Sequence, residues 1–288
     1  IDDAIRATAH CDLSEYRKLD ELPYDFIRKR LSVLVSYQGK SILVTKGAVD
    51  NMLSLCLSAE SADGAQHAIA GVMDEIRNQY ETFSARGYRL LGMSYRELTP
   101  QSKLAGNSES SMIFLGFVVF SDPPKAEVRE TVRRLGHLGV SLKIITGDNR
   151  LVAATVSRQV GVAVPVVLTG GEMRQMSDEA LLKRVNEVGV FAEVEPNQKE
   201  RIILALKKSG NVVGFMGDGI NDASALHAAD VGISVDGAAD VAKEVSDIVL
   251  LEKDLKVLVE GVVEGRRTFA NTIKYVFMAT SANFGNMF

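Results

Sequence analysis

The most informative stretch of this chain is Phe215-Met216-Gly217-Asp218-Gly219-Ile220-Asn221-Asp222-Ala223. The apolar run before it, residues 212–216, predicts a buried parallel strand, and residues 223–229 after it predict a helix. A loop between a strand end and a helix start offers backbone N–H groups to a phosphate, and its carboxylates suit a hard divalent cation. The pattern therefore predicts a cation and phosphate site. An acidic Asp-Gly turn without a ligand is the structural alternative.

The two halves of the chain differ in their pattern. Before residue 120, two β-rich runs around Tyr37-Gln38-Gly39-Lys40 predict an antiparallel hairpin in an α+β layer domain. After it, helices and strands alternate, which predicts βαβ units and a parallel sheet covered on both faces. The predicted class is α/β, a Rossmann-like parallel sheet preceded by an antiparallel sheet domain. Catalytic groups in parallel sheets gather at the carboxyl ends of the strands.

Size and charge exclude some classes of protein. The 288 residues suffice for one large or two ordinary domains, and a composition with 24% charged and 46% hydrophobic residues is typical of a globular chain. A net charge of −4 argues against a general nucleic-acid binder, so no nucleic-acid partner is expected. Cys11 and Cys56 lack a metal-type spacing and are predicted to be free thiols in a reducing compartment.

The C-terminal residues 275–288 carry no charge and follow Arg266, Arg267 and Lys274. They are too few to span a bilayer, which needs ~20 residues. Basic residues before an apolar run are nevertheless typical of the cytoplasmic end of a membrane helix. The same residues are equally consistent with a C-terminal helix that is buried in the protein. The chain starts without a methionine and stops inside this run, which we interpret as two cut ends of a longer protein.

Three polar clusters follow predicted strands of the second half. They are Ser121-Asp122-Pro123-Pro124-Lys125, Thr146-Gly147-Asp148-Asn149 and the loop of residues 217–222, with Lys199 at the start of a further helix. A hydroxyl, a flexible backbone, an ammonium group and two carboxylates around Mg²⁺ are the groups that stabilise a transferring phosphoryl group. Taken alone, the Thr146 cluster is equally a helix N-cap and Lys199 a solvated charge. Their occurrence together favours phosphoryl transfer.

These motifs resemble, in order, the later motifs of the haloacid dehalogenase superfamily. The motif Asp122-Pro123-Pro124-Lys125, which precedes them, narrows the resemblance to the P-type cation-transporting ATPases. Residues 24–33 and Lys46-Gly47-Ala48-Val49-Asp50 resemble the nucleotide-binding domain of that family. The segments 232–238, 247–253 and 264–271 resemble bacterial magnesium-translocating members.

The resemblance implies three parts. They are a nucleotide-binding domain over residues 1–119, a haloacid-dehalogenase-like phosphorylation domain over 120–265, and a stalk with the start of a membrane helix over 266–288. The phosphorylated aspartate of the family lies in an Asp-Lys-Thr-Gly-Thr motif that these residues lack, so the fragment alone is expected to be inactive. Two further departures are Ser224, where the family usually has Pro, and Glu193, where it commonly has Arg. A carboxylate at residue 193 is expected to repel bound phosphates.

The resemblance also implies a role for each site residue. For ATP, Phe26 would stack on adenine, Lys46 and Gly47 would shape the pocket, Arg89 would contact the phosphates, and Asp122 would organise the nucleotide and hinge region together with Asp148. For phosphoryl transfer, Thr146, Gly147 and Asn221 would hydrogen-bond the phosphoryl group and Lys199 would offset its charge. Asp218 would bind Mg²⁺, with Asp222 supporting the metal from the same loop.

The implied function is the ATP-binding and phosphoryl-transfer portion of a cation pump that hydrolyses ATP by way of an aspartyl-phosphate intermediate. Mg²⁺ is the expected transported cation, and Ca²⁺ and H⁺ are the alternatives. ATP and Mg²⁺ are the expected cofactors. The expected partners are the transported cation, bound by membrane segments outside this chain, and membrane lipid at the C-terminal helix. The parent protein is placed in the cell membrane, with this portion on the cytoplasmic face. A soluble phosphatase of the same superfamily and a truncated, non-catalytic module are the alternatives.

Overall fold

The computed structural model describes residues 5–6, 8, 12–25, 28–99, 103–104, 108–125, 127–162, 166–252 and 254–285. The chain is divided into two units, Ile1–Asp122 and Pro123–Phe288. Two of our predictions, for Phe26 and Cys11, and the end of the predicted membrane segment, residues 286–288, lie outside the described residues. The domain assignments of the two units stay predictions.

The first unit is built on a sheet of seven strands: β1 (Arg17–Asp25), β2 (Arg30–Tyr37), β3 (Lys40–Gly47), β4 (Cys56–Glu60), β5 (Gln66–Ala68), β6 (Arg89–Leu98) and β7 (Met112–Phe120). Their order is β1-β2-β3-β6-β7-β4-β5, and all neighbours are antiparallel except β4 and β7. The predicted hairpin is confirmed, since Tyr37 pairs with Lys40 across a turn in which Gln38 and Gly39 have φ of 48° and 79°. Positive φ at both central residues is what a tight hairpin turn requires.

Two helices cover one face of this sheet: α1 (Val49–Leu53) and α2 (Ile69–Ala85). They bury an apolar core with the strands, in which Leu34, Leu43 and Met112 are fully enclosed. The residue pattern of 49–57 predicts a longer helix, but α1 ends at Leu53 because Cys56 pairs with Met112 in the sheet. Pairing with β7 therefore overrides the local helical pattern.

The second unit alternates helices and strands: α3 (Val128–His137), β8 (Ile144–Ile145), α4 (Arg150–Gln159), β9 (Val166–Thr169), α5 (Gly170–Arg174), α6 (Asp178–Arg184), β10 (Val188–Ala192), α7 (Pro196–Lys208), β11 (Gly214–Met216), α8 (Ala223–Ala228), β12 (Val231–Val235), α9 (Asp240–Glu244), β13 (Ile248–Leu250) and α10 (Lys256–Gly285). A single 3-10 turn, Ile220–Asp222, joins β11 to α8. The α/β class, with an antiparallel sheet followed by parallel strands, is thereby confirmed.

The parallel strands form two sheets of three strands, in the orders β8-β10-β9 and β11-β12-β13, where the sequence pattern predicts one sheet. A single core joins them, since Phe191 of the first sheet and Phe215 of the second belong to the same buried cluster. The residue pattern predicts a strand over 141–145, but the strand observed there is Ile144–Ile145, which pair with β10. In both sheets the carboxyl ends of the strands lead into the predicted site loops.

The C-terminal helix α10 has 30 residues and begins ten positions before the predicted stalk. Its first residue, Lys256, forms an ion pair of 2.6 Å with Glu127. Its apolar side chains are largely exposed, with Tyr275 at 66% and Phe277 at 70%. The alternative of a buried C-terminal helix is therefore wrong for the described residues. Among the described helices, none combines the length and the apolar character that a bilayer crossing demands.

Candidate functional site

The loop after β11 is tightly folded around Asp222. The residue is buried, and its Oδ2 accepts a hydrogen bond of 3.1 Å from the backbone N–H of Gly219. Gly217 has to lack a side chain, because a Cβ there would lie 2.6 Å from the Cβ of Asp222. The close approach of these two residues explains the glycine in the motif.

The second oxygen of Asp222 is bound by Lys199. The Nζ of Lys199 lies 2.5 Å from Oδ1 of Asp222, and the two side chains are 18% and 10% exposed. Because Lys199 belongs to the first turn of α7, this ion pair connects the end of one parallel sheet to the loop that leaves the other. Asp222 is thus engaged at both oxygens by groups of the chain itself.

Asp218 and Asn221 lie on the open side of the same loop. Both residues are exposed, and the backbone carbonyl of Asp218 accepts a hydrogen bond of 2.9 Å from Ala239 N. Asp218 therefore presents the hard oxygen ligand that Mg²⁺ prefers. Within the ranges that the structure describes, no three acidic, histidine or cysteine side chains gather into a metal-binding group. In this loop the exposed carboxylate is therefore that of Asp218, whereas Asp222 is buried.

The loop after β8 is closed by Thr146 and Asp148. Thr146 Oγ1 donates to Asp148 Oδ2 at 2.9 Å, and Asp148 N donates to Thr146 Oγ1 at 3.1 Å. Asn149 then caps α4 by accepting a hydrogen bond of 2.9 Å from Val152 N. The helix-cap alternative is therefore correct for Asn149, whereas the hydroxyl of Thr146 belongs to the loop. Gly147 is exposed, and a Cβ there would be 3.8 Å from Val194 O, an ordinary contact.

Residues 193–195 connect the Thr146 loop to the helix that carries Lys199. Val194 N donates to Thr146 O at 3.0 Å, and Glu193 N donates to Asp148 O at 2.8 Å. Glu195 then forms a capping box with Gln198 at the start of α7. A continuous path of hydrogen bonds and backbone thus leads from Thr146 through Lys199 to Asp222.

Glu193 has a structural partner that the sequence does not reveal. Its Oε1 accepts a hydrogen bond of 3.2 Å from Arg150 N, in the first turn of α4. A negative charge is favourable at a helix N-terminus. The carboxylate that we expected to repel phosphate is therefore bound to the backbone of α4.

Two of the residues predicted to bind nucleotide phosphates and organise the pocket are paired with each other. Arg89 Nη1 lies 2.7 Å from Asp122 Oδ2, with the side chains 48% and 71% exposed. Solvent-exposed pairs of this kind contribute little to stability, typically about 0–1 kcal/mol. The ion pair with Asp122 therefore opposes phosphate binding by Arg89 only weakly.

Lys46 and Gly47 end strand β3, beside β6. Lys46 lies opposite Met93, and Arg89 comes four positions earlier on β6. Since alternate residues of a strand share a face and each residue spans ~3.3 Å, Lys46 and Arg89 lie on one face roughly 13 Å apart. Gly47 faces the other way, where a Cβ would lie 2.6 Å from Lys29 O.

Comparison with known proteins identifies the family. Residues 8–127 match the model of the P-type ATPase cytoplasmic domain N. Over 96% of its length the chain is 44% identical to the magnesium-transporting ATPase, P-type 1, of Salmonella typhimurium strain LT2, and it covers 31% of that protein. The chain belongs to the P-type ATPase family. The protein of the same name from Escherichia coli K12 is also 44% identical over 96% of the chain.

A relative named for calcium transport is less similar than these two. The calcium-transporting ATPase 1 of Bacillus cereus is 30% identical over 94% of the chain. The chain spans about a third of the length of the curated relatives it matches, 31% for each of these three. The predicted membership of the P-type ATPases is confirmed, and the roles of the individual site residues stay predictions.

Proposed function

We propose that this chain is the ATP-binding and phosphoryl-transfer portion of a P-type ATPase that transports Mg²⁺ through an aspartyl-phosphate. The observation that carries the proposal is the Lys199–Asp222 ion pair of 2.5 Å. The pair brings the ammonium group of Lys199 to the loop that carries the exposed carboxylate of Asp218, beyond the carboxyl end of β11. These are the groups that neutralise and hold a transferring phosphoryl group.

In this proposal the phosphoryl group lies between the Thr146 loop and the Asp218 loop. Thr146 would turn its hydroxyl proton from Asp148 to the phosphoryl oxygens, the backbone of Gly147 and Asn221 would donate to the same oxygens, and Lys199 would offset their negative charge. Asp222 holds Lys199 in place, and Asp148 shapes the Thr146 loop by its bond of 2.9 Å to the hydroxyl. Asp218 binds Mg²⁺, which when bound acts as a Lewis acid on the phosphoryl oxygens.

The first unit would bind ATP on the face of the sheet that carries Lys46 and Arg89. Their separation of roughly 13 Å along neighbouring strands suits a ligand with a base at one end and phosphates at the other. Arg89 would exchange Asp122 for a phosphate, and Phe26 would stack on the adenine. Replacing Phe26 by Ala is expected to weaken nucleotide binding by ~1–3 kcal/mol, the range for base–aromatic stacking. Unchanged affinity in calorimetry would exclude the stacking role.

A phosphorylation assay tests directly whether this chain binds the nucleotide without accepting its phosphoryl group. The chain lacks an Asp-Lys-Thr-Gly-Thr motif, so we expect it to bind ATP or ADP without forming an acyl-phosphate. The chain is incubated with ATP labelled on the γ-phosphate, and acid-stable label is counted after denaturation. Stable label on the protein would contradict the assignment of the acceptor to another segment.

The transported ion is proposed from the names of the relatives, because the residues that would bind it are not in this chain. The intact protein is expected to restore growth of a bacterial strain that lacks magnesium uptake when Mg²⁺ is scarce. A variant of the intact protein with Asp218→Asn is the matched control. If the intact protein does not restore growth at low Mg²⁺ and its ATP hydrolysis is stimulated by Ca²⁺, a calcium pump is favoured instead.

A membrane location is proposed for the intact protein, with this portion on the cytoplasmic side. The exposed aromatic residues of α10, among them Phe269 and Phe277, support a contact with lipid or with further membrane segments. Fractionation of cells that express the intact protein tests it. Recovery of that protein in the cytosol after mild lysis would contradict the proposal.

A further inference from the structure

Glu109 is the most enclosed acidic side chain of the first unit among the described residues. Its side chain is only 3% exposed, in a polar segment between β6 and β7 to which the proposed function assigns no role. A buried carboxylate is costly unless it is paired and hydrogen-bonded. The partners of Glu109 therefore show what its position serves.

Both oxygens of Glu109 are bound by side chains of β2 and the turn before it. Arg28 Nη1 lies 2.7 Å and 2.8 Å from the two oxygens, and Arg30 Nε donates to Oε2 at 2.8 Å. Ser32 Oγ donates to Oε1 at 2.6 Å and lies 2.7 Å from Thr45 Oγ1 on the neighbouring strand. One carboxylate thus holds together two guanidinium groups that would otherwise repel each other.

The two arginines flank Lys29, where the turn before β2 leads into that strand. This turn packs against the end of β3. Arg28 N donates to Asp25 Oδ1 at 2.7 Å, and Lys29 has a φ of 52°, which is uncommon for a residue with a side chain. Ala48 N donates to Lys29 O at 3.0 Å. A Cβ on Gly47 would lie 2.6 Å from both Lys29 O and the Cβ of Arg30. The turn is therefore in direct contact with the end of β3 at Lys46 and Gly47.

We propose that Glu109 is a positioning residue for the nucleotide pocket, which it shapes by holding the turn of residues 28–30 against Gly47. The inference rests on the proposed binding of nucleotide at Lys46 and Gly47. Glu109 is 81 positions from Arg28 in the chain, so its partner could not be identified from local sequence. Removing its charge leaves the two arginines unneutralised, and the turn then samples conformations that do not fit the ligand.

The test is the affinity of the 288-residue chain for ADP, measured by calorimetry well below the unfolding temperature of each variant. Glu109→Gln keeps the shape of the side chain and removes its charge. We expect Kd for ADP to rise about tenfold, as it would if the turn were competent in about a tenth of the molecules. Glu109→Asp keeps the charge and is expected to recover part of the affinity.

Two controls separate positioning from stability. Ile76→Val loosens the core of the same unit, and Glu97→Gln removes an exposed carboxylate that pairs with Lys40 at 2.6 Å in the same sheet. Both are expected to leave Kd for ADP unchanged, although Ile76→Val lowers the unfolding temperature. A merely structural Glu109 would behave like Ile76→Val, with a lower unfolding temperature and the same Kd.

The outcomes distinguish the two proposals. Absence of ADP binding by the unaltered chain would overturn the proposed nucleotide site itself. Binding by the unaltered chain with an unchanged Kd in Glu109→Gln would overturn the positioning role alone. If Glu109→Gln does not fold, Ser32→Ala replaces it, because this variant removes one donor and no charge. A Kd for Ser32→Ala and Glu109→Asp equal to that of the unaltered chain would then overturn the inference.

Discussion

At the scale of single residues, Glu193 combines a strained backbone with a favourable side-chain contact. Its φ of 56° lies in the left-handed region, which residues with a side chain adopt at a cost. Its carboxylate accepts the N–H of Arg150 at the start of α4, and its backbone N–H donates to Asp148 O. The residue therefore stabilises the loop next to Thr146.

Removing this carboxylate should destabilise the second unit. Glu193→Ala loses the acceptor at the helix N-terminus and keeps the strained backbone, and we expect a loss of about 0.5–1 kcal/mol in the free energy of unfolding. Glu193→Gly should lose less, because glycine accepts a positive φ. Urea unfolding followed by circular dichroism measures both, with the exposed Glu187→Ala as control. An alanine variant as stable as the unaltered chain would contradict the capping role.

Gly217 and Gly147 form a matched pair of glycines in the two site loops. A Cβ on Gly217 would meet the Cβ of Asp222 at 2.6 Å, whereas a Cβ on Gly147 would meet Val194 O at 3.8 Å. Gly217→Ala should therefore lower the free energy of unfolding by about 1–3 kcal/mol, the range for overpacking. Gly147→Ala should change it little. Equal unfolding temperatures for the two variants would show that the Asp222 loop adapts to the added methyl group.

The pH dependence of stability should reveal Glu109. Burial raises the pKa of this carboxyl group, but hydrogen bonds from Ser32, Arg28 and Arg30 outweigh it, so the pKa lies below its usual value of 4.5. A carboxyl whose pKa is lowered by folding contributes stability above its unfolded pKa, and this contribution is lost as the pH falls through the folded pKa. The first unit should thus lose stability as the pH falls below about 4.5. Chemical unfolding at several pH values should show a flatter profile for Glu109→Gln, and an identical profile would contradict the assignment.

At the scale of secondary-structure elements, helix α7 connects the two parallel sheets. It follows β10 of the first sheet, and its Lys199 binds Asp222 beyond β11 of the second. The capping box of Glu195 and Gln198 fixes where the helix begins and therefore where Lys199 points. The position of the ammonium group is a property of this helix start rather than of Lys199 alone.

A double-mutant cycle should measure this connection. Lys199→Ala leaves the buried carboxylate of Asp222 without its cation, which should lower the free energy of unfolding by about 1–3 kcal/mol. The double variant, Lys199→Ala with Asp222→Asn, should lose less free energy of unfolding than the sum of the losses of the two single variants. The reason is that it contains no unpaired buried charge. Urea unfolding of the four proteins gives the coupling energy. A coupling energy of zero would mean that the pair does not join the two loops.

At the scale of the whole molecule, each unit has its own buried core. Leu34 and Phe114 belong to the core of the first unit, and Phe191 and Phe215 belong to that of the second. Three proposed nucleotide contacts of the described sheet, Lys46, Gly47 and Arg89, lie in the first unit, whereas Lys199 and Asp218 lie in the second.

ADP should therefore protect one unit and not the other. A ligand stabilises the state that binds it by an amount that grows with its concentration relative to Kd. Hydrogen exchange read by mass spectrometry should show slower exchange in strands β2, β3 and β6 on addition of ADP, and unchanged exchange in β10 and β12. Gly47→Ala, which pushes against the turn of residues 28–30, should weaken the effect. Equal protection of both units would contradict the placement of the nucleotide.

Much of the fold could be predicted because its signals are local. The hairpin turn at Gln38-Gly39 and the alternating helices and strands after residue 122 follow from residue types at short spacing. Strand β4 was not predicted, because Cys56 and its neighbours become a strand only by pairing with β7, far along the chain. The division of the parallel strands between two sheets was likewise not apparent, since the pairing of strands is not encoded in any one segment.

The types and order of the candidate site residues, Thr146, Lys199, Asp218 and Asp222, follow from the sequence alone, because they occur in motifs read along the chain. Their burial and their partners follow from the folded structure. It engages both oxygens of Asp222, leaves Asp218 exposed, and binds Glu193 to a helix start. It also brings Glu109 to two arginines that are 79 and 81 positions away. Residue types and local spacing specify which groups are present, whereas burial and long-range contacts specify which of them remain free to bind a ligand.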